Sequence, residues 1–245
     1  MKVEIVCTSL ESVHAAITGG ADRIELCEHL EVGGVTPAYD FINQAVSLSP
    51  IPIHILIRPR GGDFVFTENE ISQMEKDIEY CLRIQSAGVV IGCLTSSGKI
   101  DLKNTQRLVR AAGKMAVTFH RAFDMAIHDP NVLEDVIATG CSRLLTSGQA
   151  ANAIQGSAGI RQLIQQSNGR IIILPGGGVR ENNVEELIRI TGATEVHSSC
   201  LHSQKSDNSF SQTATSLSQI PLVDDIRRLK NRADRIEQLM RTKND

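Results

Sequence analysis

The 245 residues contain no dense run of Lys and Arg, and the formal charge is −3, so the electrostatic footprint of a nucleic-acid binder is missing. No apolar stretch approaches the roughly 20 residues that cross a bilayer. Met1 to Glu4 open a strand pattern instead of a signal peptide. The expectation is a cytoplasmic chain with neither nucleic acid nor membrane as partner. Six cysteines (Cys7, Cys27, Cys81, Cys93, Cys141 and Cys200) stand far apart, without C-x-x-C or C-x-C, so their spacing writes neither a zinc module nor a disulfide scaffold. Reduced thiols follow. A G-x-G-x-x-G after the first strand pattern is also missing, which takes away the support for a doubly wound dinucleotide fold, and no organic cofactor is predicted.

What is present reads as an ordinary globular chain, 22% charged and 41% hydrophobic. Eight short β-rich runs recur: Lys2–Cys7, Arg23–Cys27, Ile53–Arg60, Gly88–Leu94, Met115–Arg121, Arg143–Ser147, Ile171–Leu174 and Glu195–Ser199. Between them stand helix-start residues whose short polar side chains accept from the open amides of a first turn. They are Thr36 before Pro37, Thr67 with Glu70, Asp101, Asp129 before Pro130, and Asn182 with Glu185. Gly20, Gly88, Gly113, Gly140 and Gly192 mark the exits. Strand then helix, repeated at about 30 residues per unit, is the arithmetic of an α/β single domain, the (β/α)8 TIM barrel. The barrel core is predicted over residues 1–200. Residues 201–221 are rich in Ser, Thr, Gln and Asn and read as a polar loop, either linker or lid. From Leu222, apolar residues at Ile226, Leu229, Ala233, Ile236 and Leu239 return with helical period, predicting a closing helix over 222–241.

Successive strand residues face opposite sides, so the apolar set of each strand assigns the remainder to the barrel lumen. On the third strand Ile53, Ile55 and Ile57 face the helices, leaving His54, Leu56, Arg58 and Arg60 inward. The same alternation sends Arg23, Glu25 and Cys27 inward on the second strand and Thr118 and His120 on the fifth. Glu4 and Val6 on the first, and Glu195 and His197 on the eighth, point inward too. Ionisable groups in a lumen normally filled by branched apolar side chains demand partners or a ligand. Glu4 and Glu195, early in their strands, suit an internal ion-pair network. Glu25, Arg58, Arg60 and His120, nearer the carboxyl ends, suit an active site, with Glu25 and His120 as base and acid and the arginines clamping an anion. Pro175-Gly176-Gly177-Gly178 after the seventh strand, with Ser147, His197 and Ser198, offers donors for an anion at the place where this fold often holds phosphate. No lysine falls at the carboxyl end of a strand, which disfavours Schiff-base chemistry. His120, His197 and Glu25 are equally residue types that bind a divalent metal, although H-x-H and H-x-x-x-H are missing.

The runs Ala21-Asp22-Arg23-Ile24-Glu25-Leu26-Cys27, Ile57-Arg58-Pro59-Arg60-Gly61-Gly62-Asp63-Phe64, Val117-Thr118-Phe119-His120-Arg121-Ala122-Phe123-Asp124, Leu145-Thr146-Ser147-Gly148, Pro175-Gly176-Gly177-Gly178 and Glu195-Val196-His197-Ser198-Ser199 resemble the CutC family of copper homeostasis proteins. The resemblance implies a cytoplasmic TIM barrel that self-associates, with copper bound as Cu(I) by cysteines, Cys27 first among them. One departure is plain: the family's first-strand cysteine commonly sits two residues after the glutamate matching Glu4, where this chain has Val6, and Cys7 follows one residue later. Strand alternation then turns Cys7 to the face opposite Cys27. Three readings stay open: a copper-homeostasis protein, a barrel enzyme using acid/base chemistry on a small anionic metabolite, a phosphorylated one among the candidates, and a scaffold whose lumen network is purely structural.

Overall fold

The computed structural model describes residues 1–201 and 221–242. Eight parallel strands, β1 (Lys2–Cys7), β2 (Arg23–Leu26), β3 (Ile53–Leu56), β4 (Gly88–Ile91), β5 (Ala116–Phe119), β6 (Arg143–Thr146), β7 (Ile172–Pro175) and β8 (Glu195–Ser198), form one sheet in the order β7-β6-β5-β4-β3-β2-β1-β8. β7 and β8, at the two ends of that order, lie side by side and bring the sheet round into a barrel. Helices α1 (Leu10–Gly19), α2 (Tyr39–Leu48), α3 (Glu68–Arg83), α4 (Leu102–Ala112), α5 (Val132–Thr139), α6 (Ser157–Ser167), α7 (Val184–Thr191) and α8 (Val223–Arg241) surround it. The last of these packs between α1 and α7, closing the helical ring. The predicted polar loop over 201–221 lies, apart from its two end residues, outside the described residues.

Local sequence explains several boundaries. Thr67 and Glu70 form a reciprocal capping box at the start of α3, and Asp101 accepts from the Asn104 amide at the start of α4. Elsewhere tertiary demands override the local signal. Thr36 does not cap α2, because its hydroxyl accepts from the Arg58 amide at 2.8 Å, and the helix begins at Tyr39 without a side-chain cap. Asn182 gives way to Asn183, whose Oδ1 accepts from the Arg180 amide at 2.8 Å ahead of α7. Gly88 is not a helix exit but the first residue of β4.

The barrel walls carry apolar side chains on both faces. Ile5, Ile24, Ile55, Val89, Phe119, Leu144 and Val196 pack outward against the helices in one continuous core. Val6, Cys27, Leu56 and Val90 form a small separate cluster inside the lumen, with Leu30 packed against it. Apart from Ile172, Leu145 and Leu174 on the β6–β7 side, whose register gives them the inward parity of Arg143, the side chains that face inward elsewhere are largely polar, and the candidate site is built from them.

Candidate active site

Strand register sets the lumen chemistry. Glu4 pairs in register with Arg23 on one side and His197 on the other, and Glu25 pairs with His54. Residues at matched register positions with like parity project together into the barrel. The resulting network runs across four strands. Arg23 binds Glu4 through Nε, and its Nη2 donates to Glu195 Oε2 at 2.7 Å. Arg143 Nε reaches the same Glu195 oxygen at 3.0 Å. His197 Nδ1 stands 2.7 Å from Glu4 Oε1 and 4.0 Å from Glu25 Oε2. Arg143, not among the residues expected inside, thus belongs to the lumen beside the expected Glu4, Arg23, Glu25, Glu195 and His197.

Electrostatics sort these groups. Burial alone would raise Glu4, but Arg23 and His197 outweigh it and hold the carboxyl well below the usual range. Burial works against the His197 imidazolium, yet Glu25 and Glu4 raise its pKa above the ordinary histidine value. Glu25 is different, because burial is its leading influence and pushes its carboxyl up to about 7. Its Oε2 is buried and has no hydrogen-bond partner among the described residues. A carboxyl balanced between its two protonation states near neutrality, beside an imidazole, is the arrangement of a group that gives and takes protons.

At the carboxyl end of the barrel, His120 lies under the ring of Phe64, with ring centroids 4.8 Å apart, and Arg58 stacks over the same ring at 4.7 Å. His120 Nδ1 accepts from the Ala122 amide at 3.1 Å, which leaves the proton on Nε2, a buried atom with no partner among the described residues. Burial, with Arg58 nearby, lowers the His120 pKa to about 3, so the ring is neutral at physiological pH. It is a hydrogen-bond donor there, not an acid of useful strength.

The two arginines expected to clamp an anion make their hydrogen bonds to the protein itself, and only Arg58 Nε, a buried atom, has no partner among the described residues. Arg58 donates from Nη1 to the carbonyls of Val32 and Gly34, both at 2.9 Å, and from Nη2 to Gly62 at 2.7 Å. Arg60 lies outside the lumen, pairing with Glu70 at 2.6 Å and with the Val65 carbonyl at 2.9 Å. Arg58 therefore ties the loop after β2 to the loop after β3, and Arg60 braces the loop after β3 against α3. Ser198 points outward, where its hydroxyl donates to the Val179 carbonyl at 2.6 Å, so it is no lumen donor. Ser147 does reach the mouth, accepting from Arg121 Nη2 at 3.0 Å. Gly176 is required by close approach, since a β carbon there would stand 2.5 Å from Leu145 Cδ1 and 3.2 Å from the His197 ring. Gly177, at φ +93°, lies against the Arg121 guanidinium, and Gly178 follows at φ +76°.

Two metal readings meet the same test. Glu4, Glu25 and His197 offer ligand atoms within 4.8 Å of one another. Their charges are already matched, because three carboxyl groups (Glu4, Glu25, Glu195) face two guanidiniums (Arg23, Arg143) and the raised imidazole of His197. For Cu(I), Cys27 faces the lumen inside an apolar shell of Val6, Leu56 and Val90, while Cys7 packs in the outer core. Burial pushes the Cys27 thiol far above its ordinary pKa and lifts Cys7 to about 12. Soft paired thiolates are what Cu(I) selects, and Cys7 and Cys27, on opposite sides of the wall, do not form such a pair.

The CutC family profile matches residues 1–202. CutC family proteins of Chromobacterium violaceum and Bacteroides thetaiotaomicron share 48% identity over 197 residues and 42% over 234 residues. These matches cover 80% of each chain in the first case, and 95% of this chain and 94% of that protein in the second. The crystal structure of the CutC protein of Streptococcus agalactiae, which its name ties only provisionally to copper homeostasis, superposes with TM-score 0.77 at 31% identity, over 81% of this chain and 98% of that one. More distant barrels share the fold alone, among them the N-(5'-phosphoribosyl)anthranilate isomerase of Pyrococcus furiosus at 15% identity and TM-score 0.61, over 96% of this chain and 99% of that one. With the profile running from the first strand past the last and the relatives agreeing along most of the chain, this protein belongs to the CutC family.

Proposed function

We propose that the protein is a barrel enzyme that moves a proton on a small anionic metabolite, with Glu25 as the acid/base and His197, held by Glu4, as the group that tunes it. One observation carries the reading: Glu25 Oε2 is buried, lacks a hydrogen-bond partner among the described residues, and faces His197 Nδ1 at 4.0 Å. A buried carboxyl without a partner costs on the order of 1–3 kcal/mol of stability, a cost that a catalytic role explains. His120 supplies a neutral donor at the mouth, and Phe64 covers it. A cytoplasmic location and self-association go with this reading, and the six free, buried thiols suit a reducing compartment. Among the described residues no helix is long and apolar enough to cross a membrane.

Copper handling is the second reading, supported by the name of the streptococcal relative and by the lumenal Cys27. The single thiol weakens it, and no step of the chemistry above is routed through copper.

Native mass spectrometry of protein purified under anaerobic, reducing conditions, with metal analysis of the same sample, tests both. A retained anionic compound that the wild type turns over and Glu25→Gln does not is the expected result. Undiminished turnover by Glu25→Gln removes the acid/base reading, and one copper per chain lost in Cys27→Ser puts the metal role in its place.

A further inference from the structure

Arg121 stands one residue beyond the expected His120 and carries a partly open guanidinium at the mouth of the barrel. It opens the short 3-10 turn Arg121–Met125 after β5. Its Nε donates to Asp124 Oδ2 at 2.7 Å and its Nη2 to Ser147 Oγ at 3.0 Å. Nη1 has no partner among the described residues, and the side chain is 45% exposed. The guanidinium is therefore held in place from behind and open in front.

What it faces is the glycine loop after β7. A β carbon at Gly177 would stand 3.3 Å from Arg121 Cζ and 3.4 Å from Nη1, so the guanidinium lies directly on that backbone. The loop carbonyls are engaged, Gly177 O by the Ala153 amide at 2.9 Å and Gly178 O by Asn183 Nδ2 at 2.9 Å. The Gly176 amide donates to Thr146 O at 2.9 Å, whereas the amides of Gly177 and Gly178 meet no acceptor among the described residues. Two open amides and an open guanidinium edge thus share one loop at the carboxyl end of β7.

The carboxylate that pairs with Arg121 is already committed. Asp124 is 6% exposed and accepts from Thr146 Oγ1, from the Ser147 amide at 3.0 Å, from the Gln149 amide at 3.1 Å and from Arg121. That many donors leave its charge spent inside the protein, and it acts as a positioning residue for Arg121.

We infer that Arg121 and the amides of Gly177 and Gly178 form a subsite for the phosphate group of a phosphate-monoester ligand. A tetrahedral oxyanion accepts from more directions than a planar carboxylate, which suits donors supplied by a fork and two successive amides. Loops at this end of the seventh strand are where barrel folds commonly bind phosphate. The proposal rests on the acid/base reading of Glu25 and gives its substrate a class. Gly176 packs on the His197 ring and His197 faces Glu25, so the loop that would hold the phosphate adjoins the proton-transfer pair.

The test is isothermal titration of the full chain with inorganic phosphate and with glycerol 3-phosphate, at fixed ionic strength and with acetate as competitor. Saturable binding at one per chain is expected, unaffected by acetate. It should weaken at least about tenfold in Arg121→Ala, where the charge-assisted fork is gone, and likewise in Gly177→Ala, whose methyl displaces the guanidinium. Arg121→Lys, which keeps the charge and the fold but not the fork, should fall between. Glu25→Gln should bind phosphate like the wild type, so loss of the subsite and loss of the acid/base role are separately visible. Absence of saturable binding in the wild type, or unchanged binding in Arg121→Ala and Gly177→Ala, overturns the proposal.

Discussion

The amide of Cys27 donates to the carbonyl of Cys7 at 3.1 Å, yet the two thiols lie on opposite sides of the barrel wall. Neighbouring strands bring the backbones together, and a single residue of parity separates the side chains. Val6, not Cys7, shares the lumenal cluster with Cys27. Proximity in the sheet is therefore no measure of whether two sulfurs can share a metal.

Cu(I) affinity should accordingly depend on parity. Competition titration with a Cu(I) chelator under anaerobic conditions is expected to show weak binding to the wild type and no change in Cys7→Ser. Val6→Cys, which puts a second sulfur in the lumen, should tighten binding by at least about two orders of magnitude, because soft thiolate pairs are the preferred Cu(I) donors. Tight wild-type binding that disappears in Cys7→Ser contradicts the geometry described above.

The pH dependence of stability has a definite sign. Glu25 rises from 4.5 in the unfolded chain to about 7 when folded, so the native state holds the extra proton between those values. Stability then falls as pH rises from about 5 toward 8, because the unfolded state binds fewer protons in that window. His197, also raised, adds to the loss as pH climbs through its folded value. Glu25→Gln mimics the protonated carboxyl and should gain stability over the wild type by on the order of 3 kcal/mol at pH 8, with little difference at pH 5. Urea melts at both pH values measure this, and parallel curves for the two proteins would rule it out.

Arg58 and Arg60, separated only by Pro59, should differ sharply in what their loss costs. Arg58→Ala strands the carbonyls of Val32, Gly34 and Gly62 and is expected to destabilise by about 3–5 kcal/mol. Arg60→Ala, an exposed pair with Glu70 and Asp63, should cost about 1 kcal/mol or less. Denaturant midpoints decide the matter, and equal costs would contradict the structural roles assigned here.

How much of this was legible beforehand depends on range. Period-2 alternation assigns the faces of Ile24, Glu25, Cys27, Ile55 and His197, because each strand is short and apolar on its outer side. The Cys7 parity followed from the same rule. The structural partners of Arg58 are not legible in sequence because they are carbonyls in loops whose paths no pattern encodes, and Thr36 reads as a helix cap although its hydroxyl accepts from the Arg58 amide. Arg143 meets Glu195 across 52 positions, a pairing that only barrel closure creates. Arg121 had a local signal that was available: Asp124 sits three residues on, the spacing at which opposite charges meet in a helical turn. Its contact with Gly177 had none.

The lumen network also ranks its own members. Arg23 is buried and is shared by Glu4 and Glu195, whereas Arg143 is 14% exposed, also donates to Ser142 Oγ at 3.4 Å, and pairs with one carboxylate, Glu195, which Arg23 already holds. Removing one partner of a buried charge group leaves the other uncompensated, at a cost of about 3–5 kcal/mol. Arg23→Met should reach or exceed that range, because it leaves Glu4 with His197 alone and Glu195 with Arg143 alone. Arg143→Met should cost clearly less, since water reaches the rim where it sits. Replacing Arg143 and Glu195 together by apolar residues should recover part of the loss seen for Glu195→Met alone, which strands Arg143. Chemical denaturation of the four variants tests the ranking. An Arg143→Met cost equal to that of Arg23→Met would mean that the network holds its charge evenly, not on the Arg23 guanidinium.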